Sequence, residues 1–221
     1  QYQRVYVLLP QASGPEWLQA ILSSRQWFQH LWTIGYSADD AGIGNLHHRI
    51  VLAVEPTSWG GDLADWYRQN YPGVYYLPIS AQTPEALHTY IETGIQNDLK
   101  AIPTHSPEPL SNYSNQTYNA SRGDPRTQYE RTYLLMPQKT RVAYLQAVIN
   151  SGIMTRHRWT LGFSADDAGI GNLNSRTIIA LNPDEWGSDL HTWYDTHYPG
   201  VEYSPIRVTT PGQLLDNLSL R

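Results

Sequence analysis

The chain has 221 residues, 40% of them hydrophobic and 16% charged, with a formal net charge of −5. That length suits one large globular domain or two small ones, and the mild acidity excludes the basic stripe of a nucleic-acid binder. Cysteine is absent, which excludes disulfides and thiol chemistry, and no apolar run approaches the ~20 residues of a membrane span.

Residues 4–10, RVYVLLP, read as a strand buried on both faces and stopped by proline. Gly14-Pro15-Glu16 opens a helix with Pro in its first turn, and Trp17, Leu18, Ile21 and Leu22 give it an apolar stripe. Residues 32–36 form a second strand and residues 49–54 a third, stopped by Pro56. Residues 59–71 read as a second helix, with Leu63, Trp66 and Tyr67 on one face and Pro72-Gly73 at its end. A fourth strand covers 74–79. Thr83-Pro84-Glu85 then combines a capping hydroxyl, a first-turn proline and an acid near the positive end of the helix dipole.

The same order returns 127 residues later. Trp32, Trp59 and Tyr71 reappear as Trp159, Trp186 and Tyr198, and the offset holds without a gap from Gln1/Gln128 to Leu87/Leu214. About half of these paired positions are identical. The expected architecture is α/β: a tandem duplication of a small, mostly parallel sheet domain, β-α-β-β-α-β-α, with helices on both faces. The expected division is a first repeat at 1–96, a linker at 97–127 and a second repeat at 128–221. The linker is rich in Pro, Ser and Asn and has no apolar period. It carries three glycosylation sequons, at Asn112, Asn115 and Asn119. Together with Gln1 in place of an initial Met, they point to an extracellular or cell-surface location.

Core positions drift between the copies: Ile34 becomes Leu161 and Tyr36 becomes Phe163. Residues 37–46, SADDAGIGNL, do not change at all on becoming 164–173. They follow the second strand, on the carboxyl edge where open α/β sheets bind ligands. Three readings compete. Ser37-Ala-Asp-Asp40 has the form of a capping box, so every residue can have a local structural task. Alternatively Ser37, Asp39, Asp40 and Asn45, with Ser164, Asp166, Asp167 and Asn172, bind sugar hydroxyls or a Ca²⁺ ion, although calcium loops supply more oxygens than this one. Catalysis by glycoside hydrolysis needs two facing carboxylates, and no repeated Glu supplies a partner, because Glu16, Glu55 and Glu85 become Ala143, Asn182 and Gly212.

Other candidates carry less. His47-His48 suggests a metal, but the second copy has Asn174-Ser175 there. His30/His157 is repeated and reads as a residue at a helix end. Asp62/Asp189 reads as a first-turn helix acid. Trp32, Trp59 and Trp66 read as core, whereas Trp17 and Trp27, which become Tyr144 and Met154, read as half-exposed.

With "YVLLPQ", "WTIGYSADDAGIG" and "YPGV" the chain resembles duplicated α/β accessory modules of secreted bacterial glycan-hydrolase or lysozyme-like proteins. The resemblance covers both copies and not the linker, and it implies a secreted, non-catalytic module. The leading expectation is a non-catalytic extracellular structural protein that assembles with itself, with no resident cofactor. The alternatives are a cell-wall or surface glycan-binding module and a carboxylate-dependent glycan hydrolase.

Overall fold

The computed structural model describes residues 4–43, 49–59, 62–102, 131–170, 176–187 and 189–221. In the first half, β1 (Val5–Leu8), β2 (Thr33–Gly35), β3 (Ile50–Val54) and β4 (Tyr75–Ile79) alternate with helices. These are α1 (Pro15–Leu22), α2 (Arg25–His30), α3 (Ala38–Ile43), α4 (Leu63–Asn70), α5 (Pro84–Thr89) and α6 (Ile95–Ala101). The second half runs β5 (Thr132–Leu135), α7 (Val142–Ser151), α8 (Ile153–His157), β6 (Thr160–Gly162), α9 (Ala165–Gly169), β7 (Thr177–Leu181), α10 (Leu190–His197), β8 (Glu202–Ile206) and α11 (Pro211–Ser219). The sequence pattern placed one helix between the first two strands; two short ones stand there. It placed none after the second strand, where the unchanging motif forms α3 and α9. The helix following β4 continues through a π-turn at Tyr90–Gly94 into α6, past the boundary expected at residue 96.

All eight strands belong to one sheet, in the order β4-β3-β1-β2-β6-β5-β7-β8. Every neighbouring pair is parallel except β2 and β6, which meet antiparallel at the centre. The paired residues there are Ile34 and Leu161, which are equivalent under the 127-residue offset. The two halves are therefore related by a rotation about an axis through this pair, normal to the sheet. As a consequence, the carboxyl ends of β1–β4 and those of β5–β8 lie on opposite edges of the sheet.

The two faces of the sheet are covered differently. On one face a single apolar core crosses the seam, in which Val5, Val7, Ile34, Leu52, Leu134, Leu161 and Ile179 pack under α1, α2, α5, α7 and α11. Each fully buried Ile, Leu or Val there contributes roughly 1.5–3 kcal/mol. Trp27 is completely buried rather than half-exposed, and its indole N–H donates to the Trp32 carbonyl, 2.9 Å away. Its replacement by Met154 in the second half is a volume exchange inside a core, which methionine tolerates well. On the other face the core is split in two. Tyr6, Leu8, Val51 and Ala53 lie under α4, and Tyr133, Leu135, Ile178 and Ala180 lie under α10. Between them, over the seam, lie α3 and α9.

Candidate functional site

The motif begins as its sequence suggests. The Ser37 hydroxyl accepts from the Asp40 amide at 3.2 Å, and the Ser164 hydroxyl accepts from the Asp167 amide at the same distance. The capping box stops there, because the acids do not return to their own helix start. They cross the seam.

Asp40 pairs with Arg176 of the opposite half, and Asp167 pairs with Arg49. Asp39 accepts from Arg131 at 2.6 Å, while Arg4 reaches both Asp166 and, at 3.3 Å, Asp167. Arg4/Arg131 and Arg49/Arg176 immediately precede β1/β5 and β3/β7. In an antiparallel seam, the end of β2 lies beside the beginnings of β6, β5 and β7. Two successive acids on one helical turn thus meet arginines on two adjacent strands, about 5 Å apart. That is a physical reason for the Asp-Asp pair that local helix geometry alone does not supply.

Hydroxyls complete the arrangement. Asp40 accepts from Tyr6 at 3.1 Å and from Thr160 across the seam; Asp167 accepts from Thr33 at 2.8 Å and from Tyr133 at 3.4 Å. The Tyr71 hydroxyl donates to Asp39 and that of Tyr198 to Asp166. Arg49 also donates to the Asp40 and Ala41 carbonyls, and Arg176 to those of Asp167 and Ala168, which ties each arginine to its own motif helix and to the opposite acid. Tyr67 and Tyr194 hold the Ala38 and Ala165 carbonyls at 2.7 and 2.8 Å.

The motif glycines have a packing reason. A Cβ on Gly42 would collide with the Tyr71 ring, and one on Gly169 with the Tyr198 ring. At Gly35 and Gly162 a Cβ would strike the Tyr6 and Tyr133 hydroxyls. Glycine lets the rings reach the acids.

Asp39 and Asp40 are each 1% exposed and Asp167 is 2% exposed. Desolvation is the larger effect at Asp39 and lifts its carboxyl above the usual carboxylate value, while Arg131 and the Tyr71 hydroxyl pull it back. Burial likewise draws the Arg176 guanidinium down to about 10. Ion pairs this deep cost several kcal/mol per charge to desolvate and are weak sources of net stability. What they enforce is registration. A one-residue slip of a strand sends every side chain to the other face, and a slip at this seam would strand the buried Asp39, Asp40, Asp167, Arg49, Arg131 and Arg176 away from their partners.

The structure brings six of the expected site residues, Ser37, Asp39, Asp40, Ser164, Asp166 and Asp167, into one cluster. Asn45 and Asn172 lie outside the described residues, as do His47, His48, Asn112, Asn115 and Asn119. The four arginines, Tyr6/Tyr133, Thr33/Thr160 and Tyr71/Tyr198 were not anticipated. Their signal was available, since all are polar residues that recur unchanged at the 127-residue offset. His30 and His157 end their helices and lie against Trp32 and Trp159. Asp62 and Asp189 are N-caps, each accepting an amide three residues on. Among the described residues, no group of three or more His, Cys, Asp or Glu is placed to hold a metal, and no helix is long and apolar enough to cross a membrane. Comparison with protein-family models, with curated proteins and with solved structures finds no match to this chain.

Proposed function

We propose that the chain is a non-catalytic, extracellular structural protein, formed by tandem duplication of one α/β unit, that associates with itself head to tail. The repeated motif is then the clasp that joins the two halves, not a ligand site. The observation that carries the proposal is the antiparallel seam, which sends the two carboxyl edges to opposite ends of the molecule.

Those edges differ in charge. The segments that follow β1, β3 and β4 carry Glu16, Glu55 and Glu85 and no cation of their own; among the described residues the one cation that reaches them is Arg158 of the second half, which donates to the Ser13 carbonyl at 3.3 Å. Their equivalents after β5, β7 and β8 carry Lys139, Arg141 and Arg207 against Asp184 and Glu185. Arg207 is paired with Asp184 at 2.9 Å, which leaves Lys139 and Arg141 as the cations of that edge with no ion pair among the described residues. A negative end and a positive end on one rigid body favour contact between unlike ends, and such heterologous contacts need not close into a ring.

Sedimentation velocity across a wide concentration range tests this. Association should weaken as salt rises, because rim charges are screened within about 10 Å at 0.1 M. The double reversal Glu16→Lys/Glu85→Lys should abolish it, at a cost in the melt no larger than the roughly 0.3–1 kcal/mol expected for each first-turn charge against its helix dipole. A chain that stays monomeric at every concentration and ionic strength would end the proposal.

A further inference from the structure

The second half contains a crevice that the clasp does not use. It lies at the carboxyl ends of β5 and β7, where the chain departs to opposite sides of the sheet. In open α/β sheets that switch point is where ligands bind. The crevice holds about 360 Å³, at the lower end of the range for small-molecule sites. Its lining includes Lys139, Thr140, Arg141, Tyr144, Asn182 and Glu185.

We infer that this crevice binds a small hydroxylated anion, a saccharide bearing a carboxylate or phosphate. Lys139 and Arg141 are exposed at its mouth and make no ion pair among the described residues. They supply charge-assisted donors for the anionic group, the stronger class of hydrogen bond. Glu185 is positioned by the Asn182 side-chain amide, which donates to it at 3.0 Å. A carboxylate held in this way accepts from sugar hydroxyls. The half-buried Tyr144 ring offers a flat apolar wall against which a pyranose can lie. The Asn182 side-chain oxygen Oδ1 accepts from the Val208 amide at 2.9 Å, which fixes the amide group that holds Glu185.

The first half provides an internal control. At the positions of Lys139, Arg141 and Asn182 it has Ala12, Gly14 and Glu55, and at the position of Ala143 it has Glu16. Among the described residues it has Glu16 and Glu55 against one cation, Arg158, whose guanidinium is engaged by the Ser13 carbonyl at 3.3 Å and the Tyr36 ring, so it should bind the same ligand more weakly. The inference is independent of self-association, and the wild-type chain, held at a concentration where sedimentation shows a monomer, is the protein to assay.

The probes are glucuronate, glucose 6-phosphate, glucose and inorganic phosphate, followed by titration calorimetry. At least one anionic sugar should bind, more tightly than both glucose and inorganic phosphate. Lys139→Ala/Arg141→Gly, which installs the residues of the first half, should weaken that binding at least about tenfold, the loss expected for a charge-assisted hydrogen bond, and leave the melt unchanged. Grafting Ala12→Lys/Gly14→Arg/Glu16→Ala into the first half should raise the stoichiometry. A carboxylate source is distinguished from a phosphate source by which of the two sugars binds. The inference is overturned if neither binds, if glucose or inorganic phosphate binds as well as they do, or if binding survives loss of both cations.

Discussion

Replacing Arg176 with Met tests the clasp most directly. Arg176 is 3% exposed, and its partner Asp40 is 1% exposed. Without the guanidinium, the Asp40 carboxylate keeps the hydroxyls of Tyr6 at 3.1 Å and Thr160, but no cation. Breaking a buried pair from one side costs about 3–5 kcal/mol, because the surviving charge is stranded. For a chain of this size each kcal/mol lowers the melting temperature by roughly 2–4 °C, so the fall should be roughly 6–20 °C. Removing both charges, in Asp40→Leu/Arg176→Met, should return most of that loss, since well-packed apolar replacements of buried pairs are often neutral. Tyr6 and Thr160, 3.1 Å apart, can then bond each other. Urea unfolding followed by near-ultraviolet dichroism gives all four corners of the cycle. The argument fails if the single change costs less than about 1 kcal/mol, or if the two single losses simply add. Arg49→Met should cost less, because Asp167 keeps Arg4 at 3.3 Å after Arg49 is lost.

Gly42→Ala should cost about 1–3 kcal/mol by overpacking, because the new methyl displaces the Tyr71 ring from Asp39, and Gly169→Ala should do the same at Tyr198; a neutral result in a denaturant melt would contradict the packing. Because the folded state raises the carboxyl of Asp39, its contribution to stability is fully present below its unfolded pKa, about 4, and is lost as the pH rises through the higher folded value. The unfolding free energy of the wild type should therefore gain on that of Asp39→Asn as the pH falls through this window, and a difference independent of pH would show that burial does not dominate at this site. Asp189→Ala removes a cap that holds the amide of Thr192 at 3.2 Å and its hydroxyl at 2.7 Å, and should cost about 0.5–2 kcal/mol, measurable as a fall in melting temperature.

Local signals in the sequence carried the strands, the two main helices of each half and their caps, because proline stops, apolar runs and first-turn acids act on their immediate neighbours. Thr83 is an example: its hydroxyl accepts from the Ala86 amide at 3.2 Å, the cap that Thr83-Pro84-Glu85 implies. The motif was harder to read, since Ser37 does cap its helix and a sufficient local explanation hid a distant one. Nothing near Asp40 in sequence points to Arg176, which lies 136 positions away; only the pairing of β2 with β6 puts them together. That pairing is also invisible locally. β2 is three residues long, and an edge made of Thr33, Ile34 and Gly35 looks the same whether or not another strand joins it. Trp27 differs from its expectation for a related reason: variation between the halves suggests exposure, but the surrounding core accommodates either Trp or Met.

The seam has no polarity, because each half brings both the acids and the arginines. Under the proposed duplication, a solitary ancestral unit presenting Arg4, Arg49, Asp39 and Asp40 would have found all of its partners on a second copy of itself. Such a pair forms only as fast as two molecules meet and dissolves on dilution. Joining the copies through residues 97–127 turns that encounter into an intramolecular one, at an effective concentration of about the millimolar order. It also removes a constraint on evolution. In a dimer of identical chains every substitution appears twice, so both ends must stay alike. Encoded separately, one end was free to become acidic and the other basic while the ten residues between them could not move.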